Sequence, residues 1–430
     1  MTLVAQSRPR SASFDGQAIV EVAGCTALFL LFALQQVVVG HGLGEGLSLG
    51  SVAMRIFAAV VSIVLLRRRG VPQAVRLPVI AILACLCVLA VSALLSDHRL
   101  IAAKFAVRYA TQLAMLWCIL NLVVAYPRLH ASLVRAAVAS LWIGILLGLG
   151  SRWSIGPARE IALMFHSADV LRYLPRISGL YEHPNIFGAV AVLVAVLATQ
   201  FHERGVIGRP TLAAACAGLA VVLVLTEARN PLVPLLLLAC GFAMIRRGRP
   251  RRIALALLAL LACLALALVW QRYDELTSAS QESLLTMFSL GRTYIWAGAI
   301  DAWRGHPWFG LGPGVFQFLT PDFTGGRFLR GELHAHNLLL GILSETGLAG
   351  LVAFTALVVA FVAPALQSGD RTLLRWAGIW MVTLLGLGLF DFYLPFYGFS
   401  LHLALAASLL IAVSQPDMRT GRDQKVLPPS

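Results

Sequence analysis

Acidic side chains are rare in this chain, with 20 Asp and Glu among 430 residues, and charged residues of either sign reach only 13%. Soluble domains run near a quarter charged, so this composition cannot supply a water-facing surface all round. Cysteine is sparse too. The seven present (Cys25, Cys85, Cys87, Cys118, Cys216, Cys240 and Cys263) all fall inside apolar runs and form no CxxC pair. They read as packing residues, with neither a disulfide framework nor a cysteine metal site. No internal repeat is visible, and only the two termini have the polar composition of disordered tails.

Long apolar runs make up the rest. With 59% hydrophobic residues and a mean hydropathy of +0.82, the chain reads as an all-α polytopic membrane protein. Runs long enough to span a hydrocarbon core of ~30 Å occur at 18–39, 47–66, 78–96, 101–125, 133–150, 186–201, 211–226, 231–245, 253–270, 337–363, 373–392 and 396–414, about twelve in all. The expected organisation is a cytoplasmic tail at 1–17, a membrane domain at 18–414 and a second cytoplasmic tail at 415–430. The first run is too long for a signal peptide and lacks an Ala-x-Ala site, so it reads as an uncleaved anchor.

The net charge of +14 invites a nucleic-acid reading, but its placement removes the need for one. With the N-terminus inside, Arg67, Arg68, Arg69, Arg128, Arg135, Arg204, Arg209, Arg246, Arg247, Arg371 and Arg375 all fall in cytoplasmic segments. Positive-inside bias accounts for that pattern. It leaves two long outer segments, 151–185 and 271–336, with arginines set against the bias: Arg152, Arg159, Arg172 and Arg176 in the first and Arg272, Arg292, Arg304, Arg327 and Arg330 in the second; Arg229 stands in the tight turn TEARNP between two spans. Long translocated loops escape the rule; alternatively, guanidinium forks at an outer face suit a phosphate-bearing ligand. Asn230 and Pro231 read as a helix start, which would add free N–H groups and a positive dipole end beside Arg229. A salt bridge to Glu227 is the plainer alternative.

The stretch GRTYIWAGAIDAWRGHPWFGLGPGVF begins as an amphipathic helix, with Tyr294, Ile295, Ala299 and Ala302 on one face, and ends in a glycine run. Beside a membrane such a helix is commonly interfacial, with Arg292 turned toward the lipid headgroups. Its GxGxG follows no strand and is weak evidence of nucleotide binding. In RISGLYEHPNIFG, His183, Pro184 and Asn185 precede a span, where Asn185 either caps the helix or meets a ligand.

LHAHNLLLGILSETGLAG is the least expected opening for a membrane helix. Were the chain extended there, Glu332, His334 and His336 would point the same way as possible zinc ligands, although no fourth ligand accompanies them. Asn337 suits a cap. A cap leaves His336 unexplained, and its imidazole is suited to accept a proton near neutral pH. It also leaves Glu345, a carboxyl group inside a span that needs a polar cavity or a partner. Asp391, in LFDFYLPFYG, is a second acid at the outer end of a span.

Taken together, SGLYEHPNIFG, the arginine turn, GRTYIWAGAIDAWRGHPWFGLGPGVF and HAHNLLLGILSETGLAGLVAF resemble the O-antigen ligase and polymerase superfamily of bacterial inner-membrane glycosyltransferases, and within it the O-antigen ligases of lipopolysaccharide assembly. The resemblance implies a GT-C-like helical fold with a large periplasmic loop. It also implies a metal-independent transferase without a cofactor, whose active site faces the periplasm. The donor would be a glycan on undecaprenyl pyrophosphate and the acceptor lipid A-core. It further implies that Arg229 and Arg292 bind pyrophosphate and that His336 is the essential histidine, with His334 as a neighbouring candidate. Arg176, His183, Asn185, Asn337, Glu345 and Asp391 would line the substrate site. The absence of a Walker loop and of a DxD motif is in keeping with this. Rival readings are a polysaccharide polymerase of the same superfamily, a protein oligosaccharyltransferase and a lipid-linked glycan transporter. A transporter is disfavoured because the polar residues gather at one face of the membrane and the two halves of the chain do not match.

Overall fold

The computed structural model describes residues 73–155, 176–181, 183–245, 292–326, 334–395 and 397–414, with scattered positions between 248 and 263. The expected spans at 18–39 and 47–66, most of 253–270, both tails, much of the two outer segments and Glu332 lie outside the described residues.

Every regular element among the described residues is a helix. They run α1 Gln73–Leu95, α2 Arg99–Ala125, α3 Leu129–Arg152, α4 Pro184–Glu203, α5 Arg209–Thr226, α6 Leu232–Ile245, α7 Arg292–Gly305, α8 Phe316–Phe323, α9 Leu338–Gln367, α10 Arg371–Gly388 and α11 Tyr397–Ser414. The spans expected over these stretches coincide with helices to within a few residues. Six of them (α1 to α5 and α9) are long and apolar enough to cross a membrane, as expected of a polytopic membrane protein.

Burial separates the centre from the rim. α4 is the hub, with 89% of its apolar window buried, whereas the same window of α1 is only 28% buried. The run PNIFGAVAVLVAVLATQFHE explains this, because small residues alternate with β-branched ones and neighbouring backbones can approach closely. A Cβ at Gly188 would lie 2.6 Å from Pro231 Cγ, which fixes the α5–α6 turn against the start of α4. α1 instead presents Leu77, Ile80, Leu83 and Leu94 outward, the surface expected beside lipid.

Alternation brings the starts of α2, α4, α6, α9 and α11 to one end of the bundle, together with the ends of α1, α3, α5 and α10. Arg128, Arg204, Arg209, Arg371 and Arg375 belong to the connections at the other end, where Arg375 pairs with Glu203.

α9 is interrupted. Gly347 has φ 65° and ψ −160°, which separates the helix into two segments and frees backbone groups that lipid cannot satisfy. The connection between α7 and α8 fills the break. Leu311 N–H donates to Ser344 O at 2.9 Å and Gly312 N–H to Glu345 O at 3.0 Å, while Leu348 and Ala349 N–H donate to Pro307 O at 2.9 Å and Trp308 O at 3.0 Å. Ser92 and Ser96, at the end of α1, donate to Phe309 O and Leu311 O and pin the same segment from the other side. The glycine run is thus a backbone plug for a broken membrane helix. Gly310 has no room for a side chain, since a Cβ there would lie 2.4 Å from the Glu345 carbonyl carbon.

Candidate active site

At the polar end of the bundle, α9 begins with a conformational switch. Asn337 is extended at φ −155° and caps the helix, its Oδ1 accepting from Leu339 N–H and Leu340 N–H at 3.0 Å each. Its Nδ2 donates to Leu389 O at the end of α10. His336, one residue earlier, has φ 47°. A left-handed conformation is uncommon outside glycine, although histidine adopts it more readily than most residues. The turn directs the His336 ring at Asp391, with Nδ1 3.0 Å from Asp391 Oδ1.

Asp391 is the centre of the site. Its Oδ1 also accepts from Phe392 N–H at 3.0 Å. Its Oδ2 accepts from Asn230 Nδ2 at 2.9 Å and, more weakly, from Asn185 Nδ2 at 3.4 Å. Burial by itself would push the Asp391 carboxyl up; the contact with His336 and the charge of Arg292 outweigh it and hold the group well below the usual carboxylate range. A carboxylate can only accept, so the proton on His336 Nδ1 points at Asp391 and Nε2 carries the free lone pair.

Arg292, in the first turn of α7, donates from Nη1 to Asn230 Oδ1 at 3.3 Å and to Phe390 O at 2.6 Å. Arg176 donates from Nε to Thr226 O at 2.7 Å and from Nη2 to Asn185 Oδ1 at 3.2 Å. The site therefore gathers Arg176, His183, Asn185, Arg292, His336 and Asp391, with Arg229 next to Asn230 in the α5–α6 turn. Arg292 faces into the bundle rather than toward the lipid headgroups, because α7 packs against α9.

Two cap expectations are corrected. His183, not Asn185, caps α4: its Nδ1 accepts from Asn185 N–H at 3.0 Å, with Pro184 at the first helical position. That releases the Asn185 side chain into the network. Asn230 does not cap α6 either, since its amide is committed to Asp391, Arg292, Phe390 O and Tyr393. Burial pushes the His183 imidazole down to about 4, with Asp391 opposing and Arg176 assisting, so the cap stays neutral and accepting.

His334 lies apart from the His336–Asp391 pair, edge-on to the Phe392 ring at 6.2 Å between centroids. Burial pushes its imidazole down to about 3, helped by the nearby charges of His336 and Arg108. Glu345 sits beyond the network, 3% exposed, and accepts from Tyr109 Oη at 3.0 Å. Glu345 and Tyr109 line an apolar crevice between α1, α2, α9, α10 and α11, walled by Leu116, Ile342, Leu357, Phe361 and Leu403. Phe392, next in chain to Asp391, also borders this crevice. Among the described residues, no group of three or more His, Cys, Asp and Glu is placed to hold a metal ion.

Sequence reasoning gives Asn230 only a capping role and is silent on Tyr393, Tyr109 and Arg108. The arginine carried a signal, being a charge within a helix otherwise suited to lipid. The others carried none, since tyrosine and a pre-proline asparagine have ordinary structural uses.

Residues 214–355 match the family model described as O-antigen ligase. The match supports a place for that segment in the O-antigen ligase superfamily. The matched segment carries Arg229, Asn230, Arg292, His334, His336 and Glu345, while Arg176, His183, Asn185 and Asp391 come from outside it and join Asn230, Arg292 and His336 in the network. No curated protein matches the chain.

Proposed function

We propose that the protein is an O-antigen ligase, transferring a glycan from undecaprenyl pyrophosphate to a sugar hydroxyl of lipid A-core at the periplasmic face of the bacterial inner membrane. The observation that carries this reading is the His336 Nδ1 to Asp391 Oδ1 contact at 3.0 Å, linked through Asn230 to the Arg292 guanidinium. One network thus supplies an oriented base and a fixed cation within a bundle that offers an apolar crevice for lipid chains. Basic residues at the opposite end of the helices favour a cytoplasmic location for that end.

In this reaction His336 Nε2 takes the proton of the acceptor hydroxyl. The acceptor oxygen bonds to the anomeric carbon as the bond from that carbon to the pyrophosphate oxygen breaks, which inverts the centre. Asp391 stabilises the imidazolium through Nδ1, and the proton leaves Nε2 to solvent after transfer. Arg292 and Arg229, with Arg176 nearby, stabilise the charge gathering on undecaprenyl pyrophosphate, the part a divalent cation plays in many glycosyl transfers. The pyrophosphate linkage provides the driving force.

Purified protein in lipid, given radiolabelled undecaprenyl-pyrophosphate glycan and lipid A-core, should move label onto lipid A-core, with EDTA making little difference. Lengthening of the donor-linked glycan instead would make it a polymerase of the same superfamily. Relocation of donor with no bond change would make it a transporter.

A further inference from the structure

We propose that Asn230 is a positioning residue, a neutral spacer that keeps Arg292 beside Asp391 without letting the two form an ion pair, so that the guanidinium retains its charge for an incoming anion. The idea rests on the diphosphate reading above for its ligand class. Asn230 Nδ2 donates to Asp391 Oδ2 at 2.9 Å, and Asn230 Oδ1 accepts from Arg292 Nη1 at 3.3 Å. The neighbours dictate the orientation of this amide. Asp391 and Phe390 O can only accept, and a guanidinium can only donate, so the nitrogen must face the first two and the oxygen the third. The hydrogen bonds of Arg292 run to Asn230 Oδ1 and Phe390 O, both neutral acceptors. Among the described residues, the basic side chain in direct contact with Asp391 is His336.

The arrangement occurs twice. Asn185 accepts from Arg176 Nη2 at 3.2 Å and donates to the same Asp391 oxygen at 3.4 Å. Two arginines thus approach one carboxylate, each through an amide. A direct guanidinium–carboxylate pair would be bidentate and strong, and an arriving phosphate would have to displace it. Through an amide, Asp391 orients each guanidinium without pairing with it, and Arg292, whose two bonds both leave from Nη1, keeps most of its donors for a ligand.

The test is Asn230→Asp, close to isosteric, read by binding of inorganic pyrophosphate to the full-length protein and by donor KM. The groups facing position 230 are Arg292 from α7, with Asp391 and Tyr393 from the α10–α11 connection; Arg176 and His183 lie beyond Asn185, and His336 beyond Asp391. Two carboxylates sharing this space must share a proton at low pH. Binding should therefore approach the wild type near about pH 5 and weaken by about tenfold or more toward about pH 9, as the pair loses that proton and captures Arg292. Asn230→Ala, which leaves Arg292 able to reach Asp391, should weaken binding to a similar degree at every pH, and Asn185→Asp should repeat the pH-dependent pattern through Arg176. A purely structural role would not produce an affinity that returns with acid. If Asn230→Asp and Asn185→Asp both bind pyrophosphate like the wild type throughout, or if the wild type binds none, the inference is wrong. Pyrophosphate binding with these signatures but no glycan transfer would instead sink the ligase reading and leave the spacer role standing.

Discussion

His336 and Asp391, 55 positions apart in the chain, meet at 3.0 Å between Nδ1 and Oδ1, and the left-handed turn at His336 is what aims the ring. The orientation of the imidazole is therefore set by backbone as well as by hydrogen bonding, and its outward nitrogen is the one left for chemistry.

Asp391→Asn should test that dependence. The introduced amide can donate to Nδ1 and so place the proton on the wrong nitrogen. Transfer should fall by about 10²- to 10⁴-fold, at unchanged expression, in an initial-rate assay with labelled donor. His336→Ala should lose at least as much, and a double variant no worse than either alone would show that the two act as one unit.

Arg292→Lys should raise donor KM about tenfold or more, because an ammonium cannot reach both Asn230 Oδ1 and Phe390 O while also presenting a fork to phosphate. A KM within twofold of the wild type would remove Arg292 from the phosphate contact. KM measured against varied donor at saturating acceptor decides it.

The helix boundaries were largely legible in the composition, since each described span announces itself as an apolar run and its ends fall at polar or proline-containing turns. The candidate site was legible in part. His336, Arg292 and Asp391 stand out because they are charged or titratable residues beside membrane spans. Asn230 does not, because an asparagine just before Pro reads as a cap whichever job it does; in the other turn Asn185 reads as the cap, yet the chain assigns that job to His183, while Asn230 turns inward. The break at Gly347 was hidden for another reason. Glycine within a membrane helix is common, and only the hydrogen bonds of the α7–α8 connection show that the backbone there is no longer helical.

Gly347→Ala should destabilise the protein strongly. A Cβ at this position would lie 2.4 Å from Trp308 backbone atoms, and its φ of 65° strains any L side chain. A loss on the order of 2–4 kcal/mol should appear as a lower melting temperature in detergent, whereas Gly241→Ala, in open space on α6, should have little effect.

Acid should also destabilise the fold. His183 and His334 have imidazoles pushed down to about 4 and about 3, so between those values and the ordinary histidine value near 6.5 the unfolded chain binds more protons. Stability is complete above about pH 6.5 and declines as pH falls through this window. Melting temperatures recorded from about pH 7.5 to 4.5 should fall, and His334→Gln should flatten the decline. An unchanged slope in that variant would mean that His334 takes up its proton over the same pH range in the folded and unfolded states.

The interlock between α9 and the plug that fills its break has a practical consequence for building hybrids with related proteins. Residues 307–312 and 344–349 behave as a single exchangeable cassette, since each strand of backbone completes the other. Swapping either piece alone would strand amide and carbonyl groups in the hydrocarbon layer, whereas moving both together would carry the bend intact into the recipient.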